Sequence, residues 1–173
     1  MAARSTQGET LSAIVRAELP RMYRVAFRLT GDATRAEDLV ALTLLNATKG
    51  WATFDGAHPS AWLLRILSNA HVRANQNEDK HRHAALDEVT EMPSKDNVEK
   101  EVQQRIAMNS LLEAMEKLEP EHQMVLTLCD IEQMTYDEVA VALDVPRGTV
   151  ASRLYRARRA LESTCRNVLE AIR

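Results

Sequence analysis

Five arginines stand between Arg147 and Arg159, at positions 147, 153, 156, 158 and 159, with no acidic residue among them. Guanidinium groups at this density along about three helical turns suit the binding of phosphates and the bidentate reading of base edges. The surrounding stretch 145–161 reads VPRGTVASRLYRARRAL. In it Val150, Leu154, Ala157 and Leu161 recur at i, i+4, i+7 and i+11, the spacing of one buried helical seam. Burying that seam turns Ala151, Ser152, Tyr155, Arg156 and Arg159 outward. A merely solvated face mixes signs to gain i,i+4 pairs, and this one carries no acid before Glu162.

Such a helix needs a scaffold, and the preceding residues supply one. Thr135 stands three positions before Glu138, a capping-box pattern that opens a short helix with Val139, Ala140 and Leu143 on its apolar side. DVPRG then breaks the chain at Pro146, and Thr149 is the expected cap of the arginine helix. Helix, tight turn and second helix have the spacing of a helix-turn-helix, which places the second helix in the major groove of duplex DNA. The amides of its first turn, with Thr149, then face a phosphate. Upstream, the segment from Val102 to Met134 reads as two amphipathic helices broken at Pro120, a residue suited to the first helical position.

The whole chain opposes this local charge. Its 173 residues carry 22 basic and 25 acidic side chains, a formal net charge of −3. Nucleic acid responds to charge within a Debye length of about 8 Å, so the arginine cluster sets the interaction and the net charge does not. The imbalance also marks the organisation. Residues 1–77 hold nine bases and six acids, residues 78–120 six and eleven, and residues 121–173 seven and eight. The segment NEDKHRHAALDEVTEMPSKDNVEKE is polar, nearly free of large apolar residues and interrupted by Pro93, and it reads as a linker. Two small helical domains, 1–77 and 102–173, joined by an acidic tether over 78–101, make up the predicted all-α architecture. Composition agrees, with 45% hydrophobic but 4% aromatic residues, five glycines and five prolines.

In the first domain a helix is expected from about Leu11 past Pro20, burying Met22, Val25, Ala26 and Leu29. Gly31 stops it, and Asp32 or Thr34 caps the next. That second helix is apolar on more than one side through Leu39, Val40, Leu42, Leu44 and Leu45, as in a central core helix or one that offers a face to a partner. After the loop FDGAHPS, Ser60 is the expected cap of a third helix with Trp62, Leu63, Ile66 and Ala70 inside and Arg65, Ser68, Asn69 and Arg73 outside. No apolar stretch approaches membrane-spanning length, and the first residues lack the apolar core of a signal peptide. Two cysteines, Cys129 and Cys165, without ligand spacing fit buried thiols in a reducing cytoplasm. His81 and His83 sit at i,i+2, poorly spaced to share a metal on one helical face. No phosphate loop, nucleophile elbow or carboxylate pair is present, so neither an enzyme nor a cofactor is expected.

The stretch YDEVAVALDVPRGTVASRLYRARRAL resembles region four of extracytoplasmic-function sigma factors of bacterial RNA polymerase. LTGDATRAEDLV followed by WATFDGAHPSAWLLRILSNA is similar to region two of the same family, and the two motifs together span roughly residues 11–165. The resemblance implies that region two docks on the clamp of the polymerase's largest subunit through the helix containing Asp38, Leu39, Val40 and Leu42. Its last helix and the loop before it then melt and hold the minus-ten element, with Phe54, His58, Ser60 and Asn69 at the single strand and Arg65 and Arg73 as basic support. Region four binds the polymerase flap and reads the minus-thirty-five duplex. There Ser152, Tyr155 and Arg156 reach base edges, and Arg147, Thr149, Arg153, Arg158 and Arg159 hold the backbone. An anti-sigma factor is a further implied partner.

Three places depart from the family's pattern. Ala41, Leu42 and Leu44 replace a strip that is usually Gln, Glu and an aromatic. The tail of region two, HVRANQNEDKHRH, is of mixed charge where the family is usually basic. Ala151 follows GTV where a base is common. Two other readings stand beside the sigma factor: a dimeric helix-turn-helix regulator that binds a palindrome without polymerase, and a mimic that sequesters an anti-sigma factor. Retention of the arginines argues against the mimic.

Overall fold

The structure is a computed structural model that describes residues 10–81 and 113–171. All regular structure among them is helical. Helix α1, Leu11–Thr30, starts where Thr10 accepts a hydrogen bond from Ala13 N and runs through Pro20. It ends at Gly31, whose φ of 67° lets its N–H return to Phe27 O. This left-handed position suits a residue without Cβ. Of the two caps considered for the next helix, Asp32 is the one used, accepting from Arg35 N at 2.8 Å. So short a connection sets α2, Ala33–Gly50, against α1. A 3-10 turn at Trp51–Thr53 leads to α3, Pro59–His81. Helix α3 therefore continues past residue 77, where the sequence placed the end of the first domain. The rest of the expected linker, 82–101, lies outside the described residues.

The second half begins with helical backbone at 113–116. Helix α4, Pro120–Leu126, has its proline in the first turn, as predicted. It widens at Thr127–Ile131 into a π turn, in which Glu132 N reaches back five residues to Thr127 O at 2.9 Å. Helix α5, Tyr136–Leu143, carries the predicted capping box: Glu138 N donates to Thr135 Oγ1 at 3.3 Å and Thr135 N to Glu138 Oε2 at 2.8 Å. Helix α6 spans Arg147–Ala171.

On α1 apolar burial follows the predicted period, with Met22, Val25, Ala26 and Leu29 buried. On α3 the face is turned: Leu63 and Ala70 are buried as expected, together with Leu64 and Leu67, whereas Trp62 and Ile66 are only half-buried. Val150, Leu154 and Ala157 form the seam of α6 against Val125, Leu128, Val139 and Ala142. Cys129 is a buried free thiol, and burial beside Asp130 raises its pKa. The two halves do not stand apart, because their buried residues form one continuous cluster. At the join His71 Nε2 and Gln123 Oε1 lie 2.8 Å apart, and Gln123 Nε2 donates to Met115 O at 2.6 Å. Buried amide and imidazole groups need such partners, so the join carries specific hydrogen bonds as well as apolar area.

Candidate nucleic-acid interface

The turn between α5 and α6 sets the direction of the arginine helix. Asp144 takes a left-handed conformation, φ 57° and ψ 46°, which asparagine and aspartate tolerate better than most side chains. Pro146 O accepts Thr149 N at 2.8 Å and Val150 N at 3.2 Å, so α6 opens one turn earlier than expected. Thr149 is thus inside the first turn and is not the cap. Proline fits this place because its carbonyl is free to accept while its ring prevents α5 from continuing.

The five arginines divide into two sets. Arg147 Nε lies 3.2 Å from Asp137 Oδ1, with the guanidinium 5.7 Å from the Tyr136 ring centre. Arg153, its side chain only 21% exposed, pairs with Glu121. Arg158 meets Asp130 through two bonds, Nε to Oδ2 at 3.0 Å and Nη2 to Oδ1 at 2.5 Å, and this hydrogen bonding raises its pKa further. These acids come from α4, the π turn and α5. A search within the helix alone therefore misses them, although i,i+4 pairing inside α6 first occurs at Glu162–Arg166, as the sequence indicated. Three of the five groups assigned to backbone contacts, Arg147, Arg153 and Arg158, are thus engaged in holding α6 to its neighbours.

Arg156 and Arg159 make the other set. Both are exposed, and neither is paired with an acid among the described residues. Arg159 lies 5.9 Å from the centre of the Tyr155 ring, with Nη1 3.3 Å from its hydroxyl. Tyr155 is 61% exposed, far more than core packing allows. Ser152 is exposed one turn earlier and turns its hydroxyl to Thr149 O at 3.0 Å. Ser152, Tyr155, Arg156 and Arg159 form one open, cationic and aromatic strip on a rigid helix.

The residues assigned to single-strand capture lie in different surroundings. Phe54 stacks on Trp62 at 4.5 Å, and Trp51 closes the group at 5.4 Å from Phe54. Phe54, His58, Trp62 and Arg65 line a cleft of about 430 Å³, with Val141 of α5 on its far side. Ser60 is not the helix cap. His58 O accepts Trp62 N at 3.0 Å, whereas Ser60 donates its hydroxyl to Glu18. Asn69 and Arg73 are exposed further along α3, outside the cleft. Arg65 already donates to Val141 O at 2.9 Å. Sequence reasoning did not find Val141 as a wall of this cleft, because only the packing of the two halves brings it there.

On α2 the four residues assigned to polymerase also separate. Leu39 and Val40 are 6% and 7% exposed and pack mainly in the core, reaching the surface only as part of clefts beside Leu42 and Tyr23. Asp38 is exposed and Leu42 is 40% exposed. Leu45, Leu19, Tyr23 and Phe27 extend an apolar surface over α1 and α2, with Tyr23 and Phe27 stacked at 6.4 Å. The excess of leucine on α2 is therefore divided between the core and this outer face.

Comparisons with known proteins identify the family. The Sigma-70 region 2 family model matches residues 14–80, and the Sigma-70, region 4 model matches residues 108–161. An ECF RNA polymerase sigma factor, SigE of Mycolicibacterium smegmatis, is 31% identical over 150 residues, covering 86% of this chain and 58% of that protein. SigL of Mycobacterium tuberculosis is 30% identical over 145 residues, 83% of this chain and 81% of that one. The sigma-E factor of Streptomyces antibioticus is 32% identical over 155 residues, 87% and 83% of the two chains. Among solved structures, the sigma factor RpoE of Bartonella quintana, in complex with the anti-sigma factor NepR, has a TM-score of 0.64 at 22% identity, covering 88% of this chain and 94% of that chain. With both regions in order on one all-helical chain, and relatives matched over most of its length, this protein belongs to the extracytoplasmic-function family of RNA polymerase sigma factors.

Proposed function

We propose that this chain selects promoters as the sigma subunit of a bacterial RNA polymerase. The observation that carries the reading is the strip of Ser152, Tyr155, Arg156 and Arg159, presented on a helix-turn-helix and unpaired with acids among the described residues. Arg156, exposed and without an ion-pair partner among the described residues, suits bidentate contact with a guanine edge in the minus-thirty-five duplex. Tyr155 and Ser152 add shape and a hydroxyl, and Arg159 and the first-turn amides around Thr149 hold phosphates. Arg147, Arg153 and Arg158 act chiefly by fixing the helix. The domain comprising 1–77 contacts the polymerase clamp through Asp38 and Leu42 and holds the minus-ten strand with Phe54, His58, Ser60, Arg65, Asn69 and Arg73. The domain comprising 102–173 meets the flap, and 78–101 joins the two.

Catalysis belongs to the polymerase, and this chain supplies position. Its place of work is the cytoplasm, where polymerase and chromosome are. An anti-sigma factor is the expected regulator, supported by the likeness to RpoE in its complex with NepR. Run-off transcription with purified core polymerase on a pool of promoter fragments tests the reading. The wild type is expected to initiate at specific sites, and Arg156→Ala to lose discrimination at the upstream element. A shift of a palindromic duplex by the protein alone, without transcripts from core, would establish a dimeric regulator in its place. Silence in both assays would favour the sequestering mimic.

A further inference from the structure

Helix α5 ends on a carbonyl that the described backbone around it leaves unmet. Val145 N–H would reach Val141 O in a continuing α-helix, but it returns to Ala140 O at 3.1 Å. Arg65 of α3 supplies the missing donor through Nη2 at 2.9 Å, and its Nη1 lies 3.4 Å from Asp144 Oδ2. The guanidinium thus meets both the negative end of the α5 dipole and the carboxylate beyond it. A second clasp forms after the π turn. Glu132, its side chain only 9% exposed, accepts from Arg21 Nε at 3.2 Å and Arg24 Nη2 at 3.3 Å. Three cations of the first half therefore meet two acids of the second.

The first clasp occupies a functional group. Arg65 is the basic residue of the cleft around Phe54, His58 and Trp62, and Val141, the residue it binds, walls that cleft. A guanidinium bound to α5 is not available to a phosphate. The closure is also imperfect: Arg65 Nε is buried without an acceptor among the described residues, which favours release over permanent docking.

We propose that Arg65–Val141/Asp144 and Arg21/Arg24–Glu132 form an internal latch. Together with the buried join at His71 and Gln123, it holds the free chain closed, sets α5 along the wall of the minus-ten cleft and slows capture of core polymerase. What the cleft binds rests on the sigma-factor reading; the latch itself does not. No second protein is needed for this closure, because both partners of each clasp lie in one chain.

The test uses the full chain carrying Glu132→Gln and Asp144→Asn together. Neither residue is among those assigned to DNA or to polymerase, and asparagine tolerates the left-handed turn as aspartate does. Small-angle scattering of the free protein at about 0.05 M salt is expected to show a larger maximum dimension for the variant than for the wild type. The wild type is expected to expand on its own at about 0.5 M salt, which gives a reading even if the variant folds poorly. The association rate with core polymerase is expected to rise about threefold in the variant, as the closed fraction falls. Superimposable scattering at both salt concentrations overturns the latch. Opening without faster capture, while specific transcripts still form, overturns its gating role. Absence of specific transcripts from both proteins instead counts against the sigma-factor reading, and scattering still decides the latch.

Discussion

Two basic surfaces of this molecule look alike in sequence and differ in the folded chain. On α6, Tyr155, Arg156 and Arg159 stand in solvent while Arg147, Arg153 and Arg158 are tied to Asp137, Glu121 and Asp130. On α3 and the loop before it, Phe54 is stacked on Trp62, Ser60 is bonded to Glu18 and Arg65 is bound to α5. The first surface is open as it stands. On the second, the corresponding side chains are already engaged with other parts of the chain. A helix's own periodicity tells which way a side chain points; it does not tell whether another element already covers that direction.

The sharpest way to break the comparison is to truncate one aromatic from each surface. Phe54→Ala is expected to destabilise the chain by about 3 kcal/mol, since it empties the stack on Trp62. Tyr155→Ala is expected to change stability by no more than about 0.5 kcal/mol. Urea unfolding of both variants reads the difference, and a loss at Tyr155 equal to that at Phe54 would mean the α6 strip is not free. Next in size, Arg156→Ala is expected to weaken holoenzyme binding to the upstream duplex by about 1–3 kcal/mol and to relax its sequence preference. Footprinting against substituted upstream elements checks this, with unchanged unfolding as the control.

Arg158→Ala sharpens the division within α6. Its pair with Asp130 is largely exposed, so the cost to stability is expected to stay below about 1 kcal/mol and to shrink further in salt. Discrimination between promoters should remain closer to wild type than in Arg156→Ala; equal loss of discrimination would return Arg158 to the reading face. The smallest effect concerns Glu138. The Thr135 backbone N–H and hydroxyl hold its carboxylate pKa below the ordinary glutamate value. The folded form therefore gains stability from the ionised group above that ordinary value and loses it as pH falls through the lowered one. Comparing the thermal midpoints of the wild type and Glu138→Gln across acidic pH should show their difference narrowing towards low pH. A constant difference would rule out the linkage.

Most helix starts and stops were legible because they are local events. Gly31, Asp32, Pro120 and the Thr135–Glu138 box each act within four residues, and each appears where the residue types require it. Thr149 and Ser60 were misread as caps because a hydroxyl is recognisable in sequence, whereas the backbone carbonyls that accept in their place, Pro146 O and His58 O, are common to every residue. The π turn at Thr127–Ile131 was not visible either, since a one-residue widening hardly alters an apolar pattern.

The candidate interface was legible to the same depth. Burial of Val150, Leu154 and Ala157 placed Tyr155, Arg156 and Arg159 outside, and they are outside. Leu39 and Val40, assigned with Asp38 and Leu42 to polymerase, are nearly buried, which an α2 apolar on more than one side does not reveal from its sequence alone. By itself, then, the sequence determined the helices, their seams, the helix-turn-helix and the family, all properties of spacing along one chain. The tertiary structure alone decided which arginines are neutralised, that Val141 walls the cleft beside Phe54 and Trp62, and that Arg65 caps a helix of the other half. Those outcomes depend on groups that other elements bring together, Arg65 and Val141 from 76 positions apart, a separation over which no periodic pattern operates.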